Sequence, residues 1–281
     1  MAKQSLEKAL CDFFSRMHIE EYAPLPADRF RAGENKLRRA RVDFPIRSAV
    51  LFLLPYYVRP GKNLSAYATS RDYHLLAADL SARLPGCLSA ACPEGHFRVF
   101  CDNSPLDERR AAVAAGLGVF GDNGLLITHR YGSYVFIGEI LSDREATDFG
   151  PLRTVEKTGC LHCGACRRAC PTGCLTDYSR PCLSALTQQK APFTEEEKAI
   201  LLAGKSVWGC DACQDACPLN HPQGGLPTTP IPFFCEDRIE FLDRKTLDAM
   251  DDAAFSRRAF SWRGRAVLHR NLELLYPENR D

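Results

Sequence analysis

The 281-residue sequence lacks several features, and each absence narrows the possible fold and function. No apolar run approaches the roughly 18 residues that a membrane-spanning helix needs. Net charge is nearly absent, because 36 Lys and Arg residues balance 35 Asp and Glu residues, which argues against a surface that coats nucleic acid or membrane throughout. With 45% hydrophobic and 25% charged residues, the composition excludes a disordered or fibrous chain. We therefore expect a cytoplasmic globular protein without a membrane anchor.

Cysteine, by contrast, is abundant, with 14 residues. The chain opens without an export signal, and a reducing cytosol keeps thiols free, so a disulfide framework does not account for this number. Four cysteines are scattered over the first 101 residues, nine lie between Cys160 and Cys217, and Cys235 follows. This concentration in the middle of the chain favours metal binding.

Helical and strand-like patterns alternate along the first part of the chain. The apolar run Ser48–Pro55 ends on a proline and predicts a strand buried on both faces. Residues 70–84 have helical spacing, whereas Phe97–Asp102 alternates like a strand. The alternation predicts an α/β (α+β) domain over residues 1–150.

The middle segment, residues 151–236, is rich in Cys, Pro and Gly and poor in apolar periodicity. Side chains alone cannot fill a core there, so something else must hold the segment together. Helical periodicity returns over residues 237–281. We expect a ferredoxin-like domain in the middle and a short helical segment at the end.

The strongest motif is a run of cysteines with the spacing C-x2-C-x2-C-x3-C-P, formed by Cys160, Cys163, Cys166 and Cys170. In bacterial ferredoxins three such thiolates bind one four-iron cluster and the fourth reaches a second cluster. A second, less regular set consists of Cys182, Cys210, Cys213 and Cys217. We predict one [4Fe-4S] cluster on Cys160, Cys163, Cys166 and Cys217, and the other on Cys170, Cys182, Cys210 and Cys213.

Zinc is the alternative for paired cysteines, but structural zinc seldom requires a further cysteine and a Cys-Pro. Cys174 and Cys235 remain as packing thiols. Two clusters with interleaved ligands carry electrons, and an electron carrier alone does not need 150 residues in front of it. The front domain should therefore hold the electron acceptor, either a redox cofactor or the substrate.

Two features of the front domain are candidates for that site. Asp102 ends a predicted strand before a proline turn, where an Asx turn or a helix N-cap is the alternative to a chemical role. Gly116, Gly118 and Gly121 form a turn that lets the backbone approach a large ligand. As a dinucleotide signature this glycine pattern is weak, because no acid follows at the required place.

In combination the motifs resemble the epoxyqueuosine reductase family. They are Tyr67-x3-Arg71-Asp72-Tyr73-His74, Asp102-x2-Pro105-Leu106-x-Glu108-Arg109, Ala115-Gly116-Leu117-Gly118-x2-Gly121-x-Asn123, Gly132-Ser133-x4-Gly138-Glu139, the two cysteine runs with Gly209-Cys210-Asp211-x-Cys213-Gln214, and Arg270-Asn271. The family implies an oxidoreductase that removes the epoxide oxygen of epoxyqueuosine in tRNA to give queuosine. Electrons would pass through both clusters to cobalamin in the N-terminal domain.

The resemblance also implies roles for individual residues. Asp102 would give a proton to the departing oxygen, which removes the charge that reductive carbon–oxygen cleavage leaves. The implied corrinoid contacts are Tyr67, Arg71, Tyr73, His74, Gly116, Gly118, Gly121, Asn123 and Ser133. His74 could instead be a lower cobalt ligand, although a packed or hydrogen-bonded histidine is more common.

The sequence departs from the family pattern at three places. Asp122 stands where the family usually has a basic residue, and the spacing from Cys170 to Cys182 is short. The chain also stops soon after Asn271, so we expect a short form without the C-terminal helical-repeat extension that helps many members hold tRNA.

The expected partners are tRNA and an external electron donor such as a ferredoxin or flavodoxin, with the protein a monomer. The C-terminal segment contains five arginines with two aromatic residues among them: Arg257, Arg258, Arg263, Arg265 and Arg270, with Phe260 and Trp262. Such residues suit phosphate contacts and base stacking in an RNA-binding surface. The alternative is ordinary helix packing with arginines on the surface. Two further functions stay open, a corrinoid iron–sulfur reductase acting on a small molecule and a ferredoxin-like electron-transfer partner without a substrate of its own.

Overall fold

The computed structural model describes residues 5–30, 42–155 and 159–277. Contacts divide the chain into two units, and the division differs from the three predicted segments. The first unit comprises Met1–Pro55, His74–Leu161 and Pro230–Pro232, and the second comprises Tyr56–Tyr73, His162–Thr229 and Phe233–Asp281. The C-terminal segment joins the middle segment because both contribute to one apolar cluster, which also includes Leu64 and Ala68 from the front of the chain.

The first unit contains three helices and six strands among its described residues. The helices are α1 (Leu6–Arg16), α2 (Tyr73–Ala91) and α3 (Glu108–Ala114), and the strands are β1 (Tyr22–Pro26), β2 (Ser48–Pro55), β3 (Phe97–Cys101), β4 (Val119–Phe120), β5 (Leu126–Ile127) and β6 (Val135–Ser142). Four strands form a sheet in the order β1-β2-β6-β3, and every pairing in it is antiparallel. The predicted fold class is thus confirmed, with an antiparallel sheet.

Both faces of the sheet are covered. All eight residues of β2 are buried, as the unbroken apolar run predicts. On one face Leu51 and Leu53 pack with Ala111 and Ala112 of α3. On the other face the ring of Phe14 from α1 lies 5.2 Å from that of Phe52, so β2 is the centre of a three-layer core.

The second unit contains seven short helices among its described residues. They are α4 (Ala165–Ala169), α5 (Leu183–Gln188), α6 (Glu195–Gly204), α7 (Ala212–Asp215), α8 (Arg244–Ala249), α9 (Asp252–Ser256) and α10 (Arg265–Leu275). Its main apolar cluster surrounds the buried Trp208 and Phe260. The cysteine segment, residues 162–220, includes helix α4, which buries no residue. Among the described residues, no helix combines the length and the apolar character needed to cross a bilayer.

The side chain of Asn271 ties α10 to the cysteine segment. Its amide nitrogen donates to the backbone oxygens of Thr187 at 2.7 Å and Val207 at 2.9 Å, and the neighbouring Arg270 donates to the Ala191 oxygen at 2.8 Å. Buried backbone oxygens need such donors. The late Arg270-Asn271 motif therefore has a structural role in this unit.

Candidate functional site

A cavity of about 630 Å³ opens in the first unit where β3 ends. It is lined by Asp102, Asn103, Leu106, Asp107, Glu108, Arg109, Leu125, Leu126, Ser133, Val135, Phe136 and Ile137. Polar groups thus come from the β3–α3 connection, and the apolar lining comes mainly from β5 and β6. A concave site with a few convergent polar groups is the usual form of a small-molecule site.

Asp102 is held in an unusual backbone conformation. Its φ angle is +58°, and that of Asn103 is +37°, so two successive residues other than glycine occupy the left-handed region. Such a conformation costs free energy and is concentrated at functional sites. The side chain is 47% exposed, and its Oδ2 lies 3.6 Å from Nε2 of His74. Asp102 can therefore reach both a ligand in the cavity and the His74 ring.

Helix α3 does not use Asp102 as its N-cap. That role belongs to Asp107, whose Oδ1 accepts a hydrogen bond from the Arg110 backbone nitrogen at 3.2 Å. Arg109, in the first turn, donates to the Gly124 oxygen at 2.7 Å and so links α3 to the turn before β5. A neighbour thus fills the capping role, so helix capping does not account for Asp102.

The structure gives the predicted glycine turn a packing role. A Cβ on Gly118 would lie 2.5 Å from the Ile127 oxygen, and Gly116 has a φ angle of +78°. Close backbone packing therefore explains both glycines without a ligand. In the same turn the Asn123 side-chain oxygen accepts from the Leu125 nitrogen at 3.2 Å, whereas its buried nitrogen has no partner among the described residues.

Of the other predicted corrinoid contacts, His74 is exposed and Ser133 is buried in the cavity lining. Tyr67 and Arg71 lie in the second unit. The Tyr67 hydroxyl accepts from the Trp208 ring nitrogen at 3.0 Å, and burial raises the pKa of Tyr67 to about 12. Arg71 pairs with Glu236 at 2.6 Å.

Tyr73 is the first residue of α2 and is half-buried. The Arg71 guanidinium stacks 4.4 Å from the centre of the Phe233 ring, and its Nε has no hydrogen-bond partner among the described residues. In the first unit, the unpaired amide nitrogen of Asn123 fits a ligand with carbonyl acceptors, such as the amide side chains of a corrin.

The predicted ligands of one cluster, Cys170, Cys182, Cys210 and Cys213, influence one another electrostatically. Burial raises the pKa of Cys210 to about 11 and that of Cys213 to about 12, and the neighbouring thiols add to both shifts. Every cysteine is a free thiol. Four close sulfur donors fit an iron–sulfur cluster, whose iron would hold them as thiolates.

The other predicted ligand set is spread over several local structures. Cys163 precedes α4, Cys166 lies within it, and Cys217 follows α7 and donates its backbone nitrogen to the Gln214 oxygen at 3.0 Å. Cys160 lies within 4.8 Å of an Asp122 carboxylate oxygen. The unexpected acid at position 122 therefore adjoins a predicted cluster ligand.

Sequence reasoning named two residues near the predicted sites without giving them a role in a site. Cys174, assigned to packing, has its sulfur 3.5 Å from that of Cys170, so a fifth thiol adjoins the second ligand set. Glu139 on β6 is fully buried and lies two residues after Ile137, which lines the cavity. An acid inside the apolar stretch Val135–Ser142 was the available signal.

The late arginines divide into internal and surface groups. Arg265 donates to the Leu247 and Met250 oxygens at 2.7 and 2.6 Å, which removes it, like Arg270, from a phosphate-binding surface. Arg263 instead stacks 3.9 Å from the ring centre of Trp262, whose side chain is 59% exposed. These two residues retain the arrangement expected for base stacking.

Comparison with known families and proteins supports this picture. Residues 159–220 match the family model described as a 4Fe-4S double cluster binding domain, which confirms the prediction of two clusters. Epoxyqueuosine reductase from Escherichia coli is 36% identical over 162 residues, covering 56% of this chain and 41% of the relative. The enzyme from Gloeobacter violaceus is 37% identical over 188 residues, covering 62% and 57%. The chain thus spans about half the length of these curated relatives.

Solved structures agree over nearly the whole chain. A selenomethionine-labelled epoxyqueuosine reductase superposes with a TM-score of 0.77 at 22% identity, covering 96% of this chain and 80% of the other. An epoxyqueuosine reductase with an epoxyqueuosine-modified tRNA stem loop gives 0.74 at 21% identity, with the same coverage. The Bacillus subtilis structure, with its catalytic aspartate loop swung out of the active site, gives 0.75 at 23% identity, covering 96% of this chain and 80% of the other. The resemblance to epoxyqueuosine reductases is confirmed, and these structures establish the fold.

Proposed function

We propose that this chain is a cobalamin- and iron–sulfur-dependent oxidoreductase that removes the epoxide oxygen of epoxyqueuosine in tRNA to give queuosine. The observation that carries the proposal is the Asp102 carboxyl, set in a left-handed turn at a cavity of about 630 Å³, in a chain that also contains a double cluster domain. The similarity to curated epoxyqueuosine reductases supports the substrate and the cobalamin requirement.

The chain's own residues have distinct parts in this chemistry. Asp102 holds a proton and delivers it to the oxygen as the carbon–oxygen bond breaks. The nearby His74 orients that carboxyl, and the apolar lining contributed by Leu126 and Ile137 limits water around it. Bound cobalamin would supply the reducing electrons at the substrate.

The remaining assignments belong to the same proposal. Cys160, Cys163, Cys166 and Cys217 hold one cluster, and Cys170, Cys182, Cys210 and Cys213 hold the other. An external one-electron donor of the ferredoxin or flavodoxin class reduces them, and the protein acts as a monomer. Stacking by Trp262 beside Arg263 supports contact with RNA.

The test uses the whole chain, purified without oxygen and supplied with iron, sulfide, cobalamin and a chemical reductant. An RNA stem loop that carries epoxyqueuosine should lose its epoxide oxygen, as mass spectrometry of the digested nucleosides would show. Reduction of small epoxides but not of the RNA would favour a small-molecule reductase. Cluster reduction without turnover of any epoxide would leave an electron carrier.

A further inference from the structure

Glu139 is a buried acid for which packing gives no reason. Its side chain lies in the middle of β6 with no exposed surface, and both carboxylate oxygens lack a hydrogen-bond partner among the described residues. Its partners on the adjacent strands are Leu51 of β2 and Phe100 of β3, which are both apolar. Burial of an unpaired polar group costs free energy that an apolar residue would avoid.

The position of Glu139 relates it to the cavity. Alternate residues of a strand share a face, so Glu139 points to the same side as Ile137, which lines the cavity two residues earlier. Helix α3 covers this face with the small residues Ala111 and Ala112, and its first turn brings Glu108 to the cavity wall. Glu139 therefore lies directly below the cavity lining.

The charged surroundings of Glu139 are simple. The strand residues directly opposite Glu139 are apolar, and the exposed Arg98, two residues before Phe100 on β3, pairs with Asp43. At the start of α3, Asp107, Arg109 and Arg110 are exposed. Burial, followed by repulsion from Glu108, raises the pKa of Glu139 well above the ordinary value. Burial and the missing hydrogen-bond partners thus both favour the protonated form of Glu139.

The proposed reaction needs a proton that Asp102 alone cannot supply. Conversion of an epoxide to an alkene breaks two carbon–oxygen bonds, forms one carbon–carbon π bond and releases the oxygen as water. The balance is epoxide plus two electrons plus two protons giving alkene plus water. The clusters and their external donor supply the electrons. A single carboxyl at the cavity holds one proton, so a second proton source is required.

We infer that Glu139 is this second source and that its proton reaches the Asp102 carboxylate through Glu108. The inference rests on the proposed function. After Asp102 has given its proton to the oxygen, the Glu108 carboxylate accepts the proton of Glu139 and passes it to the Asp102 carboxylate. Glu139 then remains as a carboxylate until water reloads it after product release. Glu139 is a relay residue, since it acts through Glu108 and Asp102.

Infrared spectroscopy tests proton storage without any turnover. The protein with its clusters should show a protonated-carboxyl band at neutral pH that is absent from the Glu139→Gln variant. The band should persist in Asp102→Asn and in Glu273→Gln, a control at an exposed position. In Glu108→Gln it should disappear at lower pH, because a repelling charge is gone. An unchanged band in Glu139→Gln would overturn the inference.

Single-turnover kinetics test delivery of the proton. Glu139→Gln should slow loss of the epoxide oxygen by about tenfold or more, with unchanged iron content and RNA affinity. Its rate should also fall steeply from pH 6 to pH 8, since the second proton must then come from solvent. Glu108→Gln should show the same dependence, which guards against a folding defect in the buried variant. A wild-type rate and pH profile in both variants would overturn the relay.

The two experiments separate the relay from the proposed function. If the wild-type protein reduces no epoxide, the proposed function fails and the second-proton role fails with it. The infrared band would still decide whether Glu139 stores a proton beneath the cavity. If the wild type is active and Glu139→Gln is equally active, only the relay is wrong.

Discussion

In the first unit, β2 buries all eight of its residues, whereas in the cysteine segment α4 buries none. The sheet is held by apolar side chains on both faces, which the chain supplies itself. Within the described cysteine segment, Leu183, Leu186 and Leu201 form a small apolar cluster, and Val207 and Trp208 pack into the larger cluster with the C-terminal helices. The cysteine run around α4 takes no part in either cluster, so we expect its stability to depend on what the thiols bind. Hydrophobic burial therefore organises the sheet, whereas we expect metal coordination to organise the cysteine run around α4.

Cys182→Ala gives the largest expected effect and tests the dependence on metal. One cluster should become labile, lowering the iron content from about eight to about four per chain. Amide hydrogen exchange should increase in α5 and α7 while β2 and β6 stay protected. Cys235→Ala, outside the matched domain, is the control and should retain all the iron. If Cys182→Ala increased amide hydrogen exchange equally in both units, the cysteine segment would not depend on metal more than the sheet does.

Leu141→Ala tests whether hydrophobic burial stabilises the sheet of the first unit. Leu141 is fully buried in the sheet core, so its truncation should lower the free energy of unfolding of the first unit by about 2–5 kcal/mol. Leu202→Ala, at an exposed position on α6, should change it by less than about 0.5 kcal/mol. Chemical denaturation followed by exchange in β6 measures both. Loss of iron in Leu141→Ala before the sheet unfolds would show that the units depend on each other.

Asp102→Asn should lower the catalytic rate while leaving both the iron content and the stability of the sheet unchanged. The amide keeps the size of the side chain but cannot donate the same proton, so turnover should fall by about 100-fold, roughly 2.7 kcal/mol of activation free energy. Corrin and iron content should match the wild type. An absorption spectrum and a single-turnover assay measure these quantities, and an unchanged rate would remove Asp102 from the mechanism.

Glu139→Gln should change how the sheet unit responds to pH. Because the folded-state pKa of Glu139 is raised, the folded chain keeps a proton that the unfolded chain loses above about pH 4.5. Wild-type stability should therefore decline by up to about 1.4 kcal/mol per pH unit until the folded-state pKa is reached. Glu139→Gln lacks this pH dependence, so its stability relative to the wild type should increase from pH 5 to pH 8, as thermal unfolding would show. A constant difference would mean that Glu139 is ionised when folded.

Periodicity predicted much of the first unit. The apolar run of β2 and the alternation of β3 place these strands to within one residue, because local patterns decide which residues are buried. The sheet order β1-β2-β6-β3 could not be predicted, since it depends on pairing between distant segments. Thiol spacing likewise predicted the double cluster domain, because ligand geometry constrains the sequence directly.

The surroundings of Glu139, Arg265 and Arg270 could not be predicted from the sequence, for one physical reason. Glu139 differs from a surface glutamate only because α3 covers its face of the sheet. Arg265 and Arg270 carry the same charge as Arg263, but backbone oxygens far away in sequence engage their donors. Contacts of this kind arise only in the folded chain. The charge of an isolated side chain therefore says little about whether it faces a ligand, a carbonyl group or solvent.

The hydrogen bonds of Asn271 also bear on where the chain can be shortened. The Asn271 carboxamide joins α10 to the end of α5 and to the backbone at Val207, between the predicted cluster ligands Cys182 and Cys210. Deletion of α10 would uncover these backbone oxygens, and we expect oxygen or chelators then to reach a bound cluster more easily. Helix α10 thus covers backbone next to the predicted cluster ligands, and a truncation before Arg265 should make a bound cluster less stable.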